Sequence, residues 1–202
     1  KTLTPTYNEV TKKYYVNGKE VLNRVTDLVK RVEGLRFRNK AQTEMSDKAK
    51  TLARGGTVGH AWLQMIMDGI INNTATDYDT VKGKVKDKLK SNPEFEGILD
   101  KSIEIGNKNY LELVNGARKL YEQIKQDQET INKETGSKEE PTILLEQSVY
   151  DELNNKAGTI DVLAIYSNGM ASVYDFKGQN FRTKDRKVIG EVPASKIQSG
   201  DL

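Results

Sequence analysis

The chain has no cysteine among its 202 residues, which removes disulfides, thiolate zinc sites and a cysteine nucleophile together. A reducing cytoplasm is the simplest setting for such a chain. There is one histidine, His60, so a multi-histidine metal cage is excluded as well. A single tryptophan, Trp62, and an aromatic content of 7% leave material for only a modest core. No apolar run is long enough to span a bilayer, and no stretch reads as a signal peptide, so no membrane partner is expected. Internal repeats and low-complexity tracts are missing too.

What is present is a near-balance of charge. Lys and Arg number 32 against 29 Asp and Glu, a net of +3, which permits a nucleic-acid partner without demanding one. The length suits one domain over residues 1–202. Residues 1–12 are polar and expected to fray. Lys13 to Val25 hold an Asn17-Gly18 turn, which predicts a small hairpin. Thr26-Asp27 reads as a helix N-cap. Thr43 to Arg54 predicts a helix that stops at Gly55-Gly56, and a second helix begins at Thr57. On it Val58, Trp62, Met65, Ile66 and Ile70 recur at helical spacing, a core stripe, while His60, Gln64 and Asp68 form a polar stripe. Residues 80–134 read as helical, broken near Ser91-Asn92-Pro93, and either clamp a substrate or mediate oligomerisation. Strands are expected over Thr142–Asp151, Thr159–Tyr166 and Met170–Lys177, a loop with a short strand over Gln179–Ile189, and a helix opening at Pro193. Helices followed by strands suit a mixed α/β domain with an antiparallel hairpin at its centre.

That hairpin carries the chemistry. Two β-branched runs flank Ser167-Asn168-Gly169, and a loop of those three residues sets position 161 against position 175. Both are aspartates. Directly opposed residues share a face, and like charges there destabilise the pair unless a cation intervenes. Lys177, two residues beyond Asp175, projects to the same face. Hard oxygen donors in a buried strand suit Mg²⁺ or Mn²⁺. The bland alternative is a buried network in which Lys177 neutralises both carboxylates.

The pattern Gly158-x-x-Asp161, a turn, then Asp175-x-Lys177 resembles the PD-(D/E)XK nuclease superfamily. Arg54-Gly55-Gly56-Thr57-Val58-Gly59-His60 is similar to the glycine-then-histidine helix start of its RecB-type branch. Glu146 stands where that branch often has a glutamate, and Tyr14 to Thr26 is similar to the lead-in of phage-type members. A Gln-x-x-x-Tyr helix usually follows the lysine. Gln198 matches the glutamine, but Leu202 stands four positions later, so either the motif is absent or the chain is a fragment read in the wrong register.

The resemblance implies a restriction-endonuclease-like mixed β-sheet core flanked by helices, with an N-terminal hairpin and a helical insertion over 80–134. It implies a Mg²⁺- or Mn²⁺-dependent deoxyribonuclease, a phosphodiester hydrolase of the kind that serves DNA repair and recombination. Exonuclease and endonuclease action both stay open. In a phage-encoded member the host cytoplasm is the setting. Asp161 and Asp175 would bind the metal, with His60 as neutral imidazole and the backbone carbonyl of Phe176 as further ligands. Lys177 would hold the attacking water and stabilise developing charge. Glu146 would orient water, bind a second metal or support the site. Gln179, Arg182 and Gln198 would contact DNA, and the basic residues Arg36, Arg38, Lys40, Lys184, Arg186 and Lys187 are further phosphate candidates. The rival expectations are a catalytically inactive nuclease-fold module for DNA binding or assembly, and a structural protein with a helical arm.

Overall fold

The computed structural model describes residues 3–25, 47–104, 110–176, 180–182 and 188–191, with the backbone alone for 47–54, 180–182 and 188–191. The helix start at Thr26-Asp27, the basic positions 36, 38 and 40, and the helix at Pro193 lie outside the described residues.

At the N-terminal end, β2 (Lys13–Val16) and β3 (Lys19–Val21) form the expected hairpin. Asn17 and Gly18 both take positive φ, 51° and 76°, as a two-residue turn matched to strand twist requires. The preceding residues do not all fray. β1 (Thr6–Asn8) pairs antiparallel with β2, and Tyr7 lies against its partner Tyr14 with ring centroids 4.7 Å apart. The Asn8 side chain accepts hydrogen bonds from the amides of Val10 and Thr11, which turns the chain back. The expectation of fraying weighed polarity and overlooked this cross-strand aromatic pair. β4 (Asn23–Arg24) then runs parallel to β6 (Lys156–Ile165), and the Tyr14 and Thr159 hydroxyls, 2.6 Å apart, tie the hairpin to that strand.

α1 (Asp47–Ile71) is one continuous helix of 25 residues, not two. Gly55-Gly56 does not stop it. Glycine costs a helix interior about 1 kcal/mol but forbids nothing, and neither residue takes a positive φ here. Burial of Val58, Ala61, Trp62, Ile66 and Met67 holds the helix together. α2 (Tyr78–Leu89) starts where Asp77 caps the Thr80 amide. The break expected at Asn92-Pro93 is there: Asn92 caps a 3₁₀ turn, Pro93–Phe95. α3 (Leu99–Ile103) and α4 (Tyr110–Thr135) follow. Residues from all four helices share one buried cluster with Val162, Ala164, Tyr174 and Phe176 of the strand region. The 80–134 stretch thus supplies core rather than an arm standing off it. Trp62 sits at the helical junction. It stacks on Tyr78 at 5.4 Å, meets Tyr110 edge-on at 5.5 Å and donates its indole N–H to the Ile103 carbonyl at 3.2 Å.

β5 (Thr142–Asp151) pairs antiparallel with β6 from end to end except at Glu146, and β7 (Ala171–Tyr174) pairs with β6 on the other edge, beyond β4. β6 is therefore central. β6 begins three residues earlier than expected and β7 ends at Tyr174, short of Lys177. β8 (Asn180–Arg182) and β9 (Val188–Glu191) form a separate antiparallel pair, two strands where Gln179–Ile189 was expected as a loop with one, the second running past Ile189. The architecture is mixed α/β, with antiparallel and mixed sheets. Among the described residues no helix is long and apolar enough to cross a membrane.

Trp62→Ala should destabilise the protein by about 3–5 kcal/mol, the usual cost of truncating a buried tryptophan. The shift of the urea midpoint checks it, and a loss below about 1 kcal/mol would mean that Trp62 does not organise the helical junction.

Candidate functional site

The β6–β7 loop has the three residues expected. The Tyr166 amide donates to the Met170 carbonyl at 2.8 Å and the Gly169 amide to the Tyr166 carbonyl at 2.9 Å. Gly169 takes φ of 82°, which an L side chain would resist. The tip is pinned from α4. Buried Gln128 donates to the Ser167 hydroxyl at 2.7 Å and accepts from the Ser167 amide at 3.1 Å, while the Tyr166 hydroxyl reaches Asp127 at 3.2 Å. From this tip the register runs Ile165↔Ala171 to Val162↔Tyr174, and one further step sets Asp161 against Asp175.

Asp175 lies close enough to Asp161 to favour its protonated form. The Asp161 side chain is only 14% exposed. Its pKa is pushed up to about 7, first by burial and then by the bond to Asp175, with the charges of Asp175 and Glu146 adding to the rise. The Phe176 amide opposes this shift by donating to Asp161 Oδ2 at 2.7 Å. Phe176 itself is buried in the core, and its ring meets that of His60 edge-on at 6.1 Å. His60, on α1, places Nδ1 3.7 Å from Asp161 Oδ2. The contact from residue 176 to Asp161 is made by the Phe176 amide and does not involve its carbonyl, the expected metal ligand.

On the other edge of β6, Leu145↔Val162 and Gln147↔Ile160 flank a position where Glu146 would face Asp161. The ladder is interrupted there, because Glu146 takes φ of 47°. Its carboxylate pairs with Lys88 of α2 at 2.7 Å. Lys88 was not among the expected site residues. It is one of four lysines on α2 and lies 58 positions from Glu146, so no local pattern marks it.

The structure thus brings together His60, Asp161, Asp175, Phe176 and Glu146. Lys177, Gln179 and Gln198 lie outside the described residues, as do Lys184, Arg186 and Lys187. Arg182 falls on β8, of which the backbone alone is described. As the side chains stand, no group of three or more His, Cys, Asp or Glu among the described residues is arranged to hold a metal ion. The donor chemistry nevertheless fits a hard divalent cation: two opposed, partly buried carboxyls beside an imidazole.

Compared with known proteins, the chain matches no family model, no curated protein and no solved structure.

The raised Asp161 pKa fixes the sign of a pH effect. The folded protein holds this proton more tightly than the unfolded chain does, so the contribution to stability is complete below the ordinary value of 3.8 and is lost as pH rises towards about 7. In chelator, the melting temperature of the wild type relative to Asp161→Asn should fall across that window. The amide can keep the bond from Phe176 and donate to Asp175 without titrating. A difference that is flat or rises with pH would show that the Asp161 pKa is not raised in the folded protein.

Proposed function

We propose that this chain is a divalent-metal-dependent phosphodiesterase that hydrolyses DNA, a PD-(D/E)XK nuclease of the RecB-type or phage-type branch on a restriction-endonuclease-like core. The observation that carries the reading is the partly buried Asp161–Asp175 pair on a central hairpin with His60 alongside. Asp161, Asp175 and His60 would hold Mg²⁺ or Mn²⁺. When bound, such an ion polarises a phosphate oxygen and acidifies a water molecule. The chain's own residues do the rest. The Phe176 amide fixes one Asp161 oxygen and so orients the carboxylate. Burial of Phe176 anchors the residue between Asp175 and Lys177. Lys177 is assigned, on spacing alone, the ammonium that holds the attacking water and meets charge developing on the phosphate. Water oxygen bonds to phosphorus as the bond to the leaving oxygen breaks, and that oxygen leaves with a proton. Contacts of this kind read the backbone rather than base edges, so sequence preference is weak.

A second reading, a catalytically inactive nuclease-fold module that binds DNA or assembles, is favoured by the raised Asp161 pKa, because protonation can relieve the opposed carboxyls without a metal.

Asp175→Ala and Lys177→Ala should each lower DNA cleavage in Mg²⁺ by about a hundredfold or more, as removal of a transition-state contact does. Full cleavage by either variant would end the nuclease reading. Calorimetric titration with Mn²⁺ should show binding to the wild type that Asp161→Ala abolishes. DNA binding with neither cleavage nor Mn²⁺ binding would promote the inactive module.

A further inference from the structure

Three separate ion pairs link α1, α2, β5 and β6. His60 of α1 meets Asp161 of β6. Two turns further along α1, Asp68 meets Lys84 of α2 at 3.7 Å. One turn on from Lys84, Lys88 meets Glu146 of β5 at 2.7 Å. Glu146 occupies the β5 position that faces Asp161 and is near enough for its charge to raise the Asp161 pKa. Between His60 and Asp68 on the same stripe stands Gln64, whose buried Oε1 has no hydrogen-bond donor among the described residues.

Val81, Val85 and Leu89 bury one face of α2. Lys84 and Lys88, four apart, flank that face on the side toward α1 and β5, as their partners Asp68 and Glu146 show. Their side chains are 35% and 23% exposed, low for lysine but open to solvent. Neither pair is needed to hold the helix, which is seated by its apolar face, and surface pairs of this kind contribute little to stability. Glu146, by contrast, is kept in a strained backbone conformation in mid-strand, the kind of cost that folds retain at working sites.

We propose that Lys84 and Lys88 form a phosphate track on α2, which leads a DNA backbone to the carboxylates of the β6–β7 hairpin, with Glu146 holding Lys88 beside the site until a phosphate takes its place. The inference rests on the nuclease reading for its substrate. It adds two positioning residues from a helix that the sequence motifs leave out. A phosphate bound by an ammonium displaces counterions, so each track lysine contributes to the salt dependence of binding.

The test is fluorescence anisotropy with a labelled DNA oligonucleotide in EDTA, where no cleavage occurs, across a salt series. Lys88→Met should weaken binding several-fold and reduce the slope of log K against log salt by about one, and Lys88→Arg should restore it. Lys119→Met, on the exposed side of α4, removes the same charge elsewhere and should change neither. Glu146→Gln, which releases Lys88, should strengthen binding, whereas a purely structural pair would lose melting temperature and gain no affinity. Lys88→Met behaving like Lys119→Met, or Glu146→Gln failing to strengthen binding, overturns the track. A wild type that cleaves DNA while Lys88→Met binds normally overturns the track alone. A wild type that shows these binding shifts without cleaving DNA in Mg²⁺ or Mn²⁺ overturns the nuclease reading and leaves the track standing.

Discussion

A carboxyl group placed in the middle of an apolar strand must find a partner, since burying it unpaired costs several kcal/mol. Asp161 meets that demand twice, through Asp175 beside it, which favours its protonated form, and through the Phe176 amide. Both partners come from the segment that returns from the β6–β7 loop, so the loop decides whether they arrive. Side chains alternate between faces along a strand, and a slip of one residue would carry Asp175 to the far side. The three-residue turn at Gly169 and the grip of Gln128 on Ser167 prevent that slip. A helix residue far from the acids thereby governs whether two carboxyls meet.

α1 serves two layers at once. Two residues along a helix is a rotation of about 200°, so Trp62 and His60 look in nearly opposite directions. Trp62 is engaged by Tyr78, Tyr110 and the Ile103 carbonyl on the helical side. That engagement leaves His60 facing Asp161 and Phe176. The helical core and the hairpin site are coupled through the rotation of one helix, and residues 80–134 matter to the site because Tyr110 and the Ile103 carbonyl within them engage Trp62.

The hairpin was legible in the chain because its signals are local. Asn168-Gly169 between β-branched runs names the turn, and the turn names the register that opposes Asp161 and Asp175. The strand over 142–151 and the break at Asn92-Pro93 were legible for the same reason. Failures came where tertiary burial outweighs propensity. Gly55-Gly56 reads as a stop, yet the helix continues, because Val58, Ala61, Trp62, Ile66 and Met67 beyond it are buried. Tyr7 reads as part of a polar tail, yet Tyr14 recruits it into a sheet. Lys88 and Gln128 were invisible because their partners lie 58 and 39 residues away, and nothing in a lysine-rich or glutamine-containing helix says which side chain the fold will use.

Glu146 shows how the sheet manages its own acidity. In a regular β conformation it would stand opposite Asp161 on the same face, a third acid in a row with Asp175. Three opposed carboxyls in one sheet repel strongly, and a single shared proton could not relieve them all. A φ of 47° takes Glu146 out of the pleat, at a cost of about 1–3 kcal/mol for a non-glycine residue. Its carboxylate then meets Lys88, so a helix cation takes up the charge that the strands could not. A neutral residue would have spared β5 both the strain and the lysine. Because the fold carries both, the acid at 146 is better explained by what it does for the site than by what it does for the sheet.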